Sequence, residues 1–78
     1  MDSDLERTLA ANLVAYRMAR NMSQEELAHT VGVHRTYVQR LETAKQSATL
    51  RTVGSIAQHL GVNPIDLLRP PEQHKATD

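Results

Sequence analysis

Ser23-Gln24-Glu25-Glu26-Leu27-Ala28-His29-Thr30-Val31-Gly32-Val33-His34-Arg35-Thr36-Tyr37-Val38 reads as two short helices joined by a tight turn. Ser23 has the character of an N-cap: its hydroxyl accepts from the backbone N–H three residues on, and Glu26 returns the bond to complete a capping box. Met22 and Leu27 flank the cap as a hydrophobic staple. The helix that starts there ends near Val31, where Gly32 takes the left-handed conformation that a sharp turn requires. The following helix begins around His34 and runs to about Thr43. At 100° per residue, Arg35, Thr36, Gln39, Arg40 and Thr43 fall within about 140° of one another, and all are polar. His34, Tyr37, Val38, Leu41 and Glu42 occupy the opposite arc, the one that anchors to a core. A helix divided in this way presents one whole face of long polar side chains for recognition.

Two charges on apolar stripes extend the reading outward. Leu9, Leu13 and Arg17 recur every four residues, so Arg17 sits where a core residue is expected. Val38, Leu41 and Glu42 follow helical spacing and turn Glu42 inward as well. A single buried charge is costly, whereas two opposite ones pair across neighbouring helices. Arg17 and Glu42 are therefore expected to form a structural ion pair.

The remainder of the chain also reads as helix or short connector, with no alternation typical of strands. A first helix is expected over about Leu5 to Asn21, with Leu5, Leu9, Leu13 and Tyr16 or Arg17 facing inward. A fourth spans Leu50 to Leu60, capped by Thr49, with Leu50, Val53, Ile56, Ala57 and Leu60 on one stripe and Gly61 as its stop. Gly54 inside it costs about 1 kcal/mol relative to alanine, either for close packing or as a tolerated defect. Asn63 caps a short fifth helix with Pro64 at its first position, and Val62 and Leu67 repeat the staple. Residues 1–68 thus form one domain. Residues 69–78, which include Pro70 and Pro71 and nothing to bury, are expected to be a disordered tail.

Composition narrows the class. Seventy-eight residues make one small domain, and an apolar share of 40% allows a packed core. A core of this size contributes only a few kcal/mol, so a partner subunit is expected to add to it. The absence of cysteine rules out disulfides and thiolate metal sites. No apolar run reaches the roughly 18 residues that span a bilayer, and the acidic start Met1-Asp2-Ser3-Asp4 is unlike a signal peptide, so an intracellular, cytoplasmic protein with no membrane partner is expected. Net charge is zero, which argues against a nucleic-acid ligand. Distribution argues the other way. Residues 17–52 carry +3, and the ends carry the compensating −3. So few cations imply weak non-specific affinity.

The order of five helices, with the second and third joined by a glycine turn, resembles the Cro/cI-type helix-turn-helix family, also called the XRE family. The resemblance covers roughly residues 7–68. It rests on Arg17, Ser23 to Ala28, Gly32-Val33, Val38, Leu41-Glu42, Leu50, Ile56-Ala57, Leu60-Gly61-Val62 and Leu67-Leu68. It implies an all-α, five-helix, lambda-repressor-like DNA-binding domain that regulates transcription as a homodimer on a pseudo-palindromic operator. Within that family, His34-Arg35-Thr36-Tyr37 is most similar to the small controller proteins of restriction–modification systems.

The family's roles transfer to matching positions. Arg17 and Glu42 resemble the ion pair that ties the first helix to the recognition helix. Gln24 stands where family members contact phosphate, and free N–H groups with the helix dipole favour an anion there. Arg35, Thr36, Gln39 and Arg40 correspond to the positions that enter the major groove, where arginine reads guanine and glutamine reads adenine. His34, a poor cap, is placed against a phosphate, which would make binding pH-sensitive. The Tyr37 hydroxyl suits a phosphate, although its ring is phased toward the core. Thr43, Lys45, Gln46 and Ser47 form the loop that touches the DNA backbone in the family. The dimer contact falls on the fourth and fifth helices, with Ile65 and Leu68 as apolar participants. Ala44 and Ala48 depart from the usual glycine and proline, so the turn after the recognition helix is expected to be different or strained.

Rival readings find less in the residues. An enzyme would find support in a glycine-rich phosphate loop, a cysteine nucleophile or a cofactor motif, and none of these is present. His29 and His34 are five apart across a turn, unlike a helical metal pair. An antitoxin-type module, which binds a toxin through a separate surface as well as its own promoter, uses the same fold, and so does a phage-type repressor.

Overall fold

The capping signals become five helices in the computed structural model, which describes residues 4–70. They are α1 (Asp4–Ala19), α2 (Gln24–Val31), α3 (Arg35–Glu42), α4 (Leu50–Leu60) and α5 (Pro64–Leu67). No strand occurs among the described residues, and the architecture is the all-α one expected. The capping box before α2 is complete: Glu26 N donates to Ser23 Oγ at 3.0 Å and Ser23 N donates to Glu26 Oε1 at 2.8 Å. Thr49 accepts from Thr52 N at 3.1 Å ahead of α4. Asn63 accepts from Ile65 N at 2.9 Å ahead of α5, whose first residue is Pro64.

Helix ends are where the sequence reading needs correction. α1 stops at Ala19, two residues before the expected Asn21. Asn21 instead stands at φ +56. The chain reverses there through Asn21 N to Met18 O at 3.0 Å and Met22 N to Arg17 O at 3.2 Å. This is the paired-bond helix ending that asparagine supports better than any residue except glycine. α3 ends the same way. Ala44 N donates to Leu41 O at 3.2 Å and Lys45 N to Arg40 O at 2.9 Å. Here the left-handed residue is Ala44 at φ +59, so the strained alternative is the one found. A Cβ in that conformation costs about 1–2 kcal/mol.

α1 packs on α3 and α5, α2 on α3 and α4, and α4 on α5. Leu13, Leu27, Val38, Leu41, Ile56 and Leu67 are essentially sealed in the resulting core, each contributing about 1.5–3 kcal/mol by its removal from water. Leu5 and Leu50 are not in it. They are 52% and 82% exposed, because each lies in the first turn of its helix, beyond the reach of the layer that covers the later residues. His34, placed on the inward arc, is likewise exposed at the N-cap of α3. Gly54 proves to be tolerated: an added Cβ would meet nothing within 4 Å.

Asn12 is the buried polar residue of the core, at 3% exposure. Its Nδ2 lies within hydrogen-bond distance of the backbone carbonyls of Asp66 (3.1 Å), Leu67 (2.9 Å) and Arg69 (2.8 Å), so its two protons are shared among three acceptors. α5 has only one turn and too few internal bonds to be stable alone. Asn12 satisfies its terminal carbonyls and pins it to α1. Arg69 also pairs with Asp66, while residues 71–78 of the expected tail lie outside the described residues.

Candidate nucleic-acid interface

One carboxylate organises the junction of three helices. Glu42, the last residue of α3, receives Arg17 Nε at 2.7 Å on Oε2 and Arg17 Nη2 at 3.1 Å on Oε1. The remaining guanidinium nitrogen of Arg17, Nη1, donates to Met22 O at 2.6 Å, closing the end of α1. Gln24, the first residue of α2, adds its Nε2 to Glu42 Oε1 at 2.8 Å. The pair is well buried, with side chains 13% and 4% exposed. A desolvated ion pair stabilises only when its geometry is good and its remaining lone pairs and protons are occupied. Here the two parallel N–H bonds, the Gln24 donor and the Met22 acceptor meet that condition. The inward phase of Arg17 and Glu42 thus has the partner inferred for it. The Gln24 bond was not foreseen, since neither spacing nor charge links a residue at the start of α2 to one at the end of α3.

The junction fixes α3 with its outer arc in solvent. Arg35, Thr36, Gln39 and Arg40 are exposed. Among the described residues, none of their side chains has a hydrogen-bonding or ionic partner. Four long or polar side chains are therefore free to meet a ligand along one ridge of about two helical turns. Val38 and Leu41, on the other arc, are buried. Tyr37 is half-buried, its ring packed against the core. The α3 N-cap, His34, is exposed and makes no side-chain bond to the helix.

Surrounding residues fall into two groups. Lys45, Gln46 and Ser47 form an exposed polar loop beyond the end of α3. Thr43 is engaged within the helix: its hydroxyl lies 3.0 Å from Gln39 O and 3.3 Å from Arg40 O. A hydroxyl has one proton, so a phosphate contact by Thr43 would require exchanging that bond. Ile65 is 65% exposed, and Leu68, one turn on, lines an apolar groove with Leu5, Leu9, Leu50 and Val53. The groove and the α3 ridge are separate surfaces with no side chain in common. Among the described residues no helix is long and apolar enough to cross a membrane, and no cluster of potential metal ligands occurs.

Known proteins are similar to this chain in sequence and fold. Control protein C.SmaI of Serratia marcescens is 38% identical over 65 residues, covering 83% of this chain and 77% of that protein. The crystal structure of the hypothetical transcription factor NHTF from Neisseria superposes with a TM-score of 0.93 at 35% identity, covering 100% of this chain and 90% of that one. A third relative, the restriction–modification controller protein C.Esp1396I, was solved as a tetramer in complex with its natural 35 base-pair operator. It matches with a TM-score of 0.75 at 25% identity, over 83% of this chain and 86% of that one. These are transcription regulators rather than enzymes. With the helix-turn-helix family model HTH_3 matching residues 13–67, the chain belongs to that family of DNA-binding regulators, and within it resembles the controller proteins.

Proposed function

We propose that this protein is a homodimeric, sequence-specific regulator of transcription that reads a pseudo-palindromic operator in double-stranded DNA through α3. The observation that carries the reading is the free polar ridge of α3, held rigid from behind by the buried Arg17–Glu42–Gln24 junction. A recognition element needs both properties: loose side chains would spend their contact energy on ordering, and a loose helix would miss the groove. Arg35 and Gln39 are assigned to base edges, with Thr36 and Arg40 beside them. Gln24, His34, Tyr37, Thr43, Lys45, Gln46 and Ser47 are assigned to phosphates, which set register but carry no sequence information. That the related C.Esp1396I is seen on its operator supports the same ligand here, and a ligand of this kind fits a cytoplasmic location.

Dimerisation is assigned to Ile65 and Leu68, joined by Leu50. Large apolar side chains exposed at the start of α4 and on α5 are what a second copy would cover. Two α3 helices related by a two-fold axis would then enter successive major grooves about 34 Å apart. An antitoxin-type role would use the same groove for a different protein, and the controller-type relatives favour the second copy.

The test is selection of bound duplexes from a random-sequence pool at near-physiological salt. An enriched inverted repeat is the expected result. Folded protein that enriches no motif, or a single half-site only, would contradict sequence reading or the dimer respectively.

A further inference from the structure

The two ends of a glutamine amide have opposite hydrogen-bonding character, and which end faces outward decides whether the side chain attracts or repels an anion. Gln24 opens α2 at the surface assigned to phosphate, so its orientation matters to that reading, on which the present inference rests. Glu42 settles the orientation. Its carboxylate is an acceptor only, and Gln24 Nε2 lies 2.8 Å from Oε1. The other end of the amide, an acceptor itself, would face a buried carboxylate if the group were flipped. The ion pair with Arg17 fixes Glu42 in place through bonds of 2.7 and 3.1 Å.

We propose that Glu42 is a positioning residue for DNA binding: it holds the Gln24 amide so that one N–H is anchored inside and the second is presented to a phosphate at the start of α2. Arg17, Glu42 and Gln24 then form a continuous line from the core to the DNA backbone. A phosphate seated on Gln24 is thereby registered against the C-terminus of α3, the same element whose exposed ridge meets the bases. Backbone contact and base contact are set by one carboxylate.

The inference is tested by a double-mutant cycle on affinity for a random-sequence duplex, with amide spectroscopy of the uniformly labelled free chain beside it. Gln24→Leu is expected to weaken binding about tenfold in the wild-type background, the scale of one hydrogen bond to a charged group. In the Glu42→Gln background, where the partner can accept or donate and no longer dictates the flip, Gln24→Leu is expected to cost under about twofold. Equal losses in both backgrounds overturn the positioning role. In the free wild-type chain, one Gln24 side-chain proton is expected to exchange slowly with solvent and the other fast; two fast protons overturn the anchored orientation even if Glu42→Gln does not fold. A wild-type chain that binds no duplex removes the DNA reading and this inference with it. A wild type that binds with additive losses removes this inference alone.

Discussion

Ala44 is the residue at which the structure departs most from an unstrained design. Its φ of +59 costs about 1–2 kcal/mol against a residue without a Cβ, of which glycine's greater freedom in the unfolded chain would return about 0.5–1. Ala44→Gly is therefore expected to raise stability by about 0.5–1 kcal/mol, visible as a melting temperature higher by a few degrees; an unchanged or lower value would show that the loop relaxes the strain elsewhere. Glu42→Ala acts in the other direction. It leaves the Arg17 guanidinium buried with only Met22 O as acceptor and is expected to cost about 3 kcal/mol or more in urea denaturation. The inward phase of Arg17 and Glu42 was readable in sequence because each breaks an apolar stripe. Asn12 breaks one too, between Leu9 and Leu13, but asparagine carries no charge that demands a partner. Ala44 could be suspected but not resolved, since alanine is compatible with several turns.

At the scale of elements, helix starts were more legible than helix ends. Ser23, Thr49 and Asn63 each cap the helix they precede, because a side-chain oxygen bonding an N–H two or three residues on is a local interaction. The end of α1 at Ala19 depended on asparagine accepting a left-handed backbone, which competes with continuing the helix and is decided by how Met22 packs against the core. Leu5 and Leu50 matched the apolar phase of their helices, yet phase says which side a residue lies on and not how far the neighbouring layer extends. α3 was legible as a whole because its two arcs differ so completely in character. Its function can be examined with one side chain. Arg35→Ala is expected to weaken operator binding by about 1–3 kcal/mol and to relax preference at one base pair. An equal loss on random duplex would mean that Arg35 contacts phosphate instead.

For the whole molecule, the ridge on α3 and the apolar groove lined by Leu50, with Ile65 exposed on α5, are separate surfaces, and the proposed function gives each its own task. Leu50→Lys or Ile65→Lys is expected to leave the fold intact, both side chains being mostly in solvent, and to weaken self-association by about 2 kcal/mol, roughly thirtyfold. Sedimentation equilibrium reads this directly, and dimers unaffected by both changes would move the contact elsewhere. The resemblance points to Ile65 and Leu68 in sequence, whereas only the fold reveals that Leu50 lines the same groove as Leu68. A different consequence lies in the freedom of Arg35, Thr36, Gln39 and Arg40. They bear none of the packing, so exchanges among them should cost no more than about 0.5 kcal/mol of folding energy. Were the ridge to read an operator as proposed, a lineage carrying this chain could drift from one target site to another by single steps, with every intermediate still folded: the scaffold would be inherited, and the address it reads open to revision.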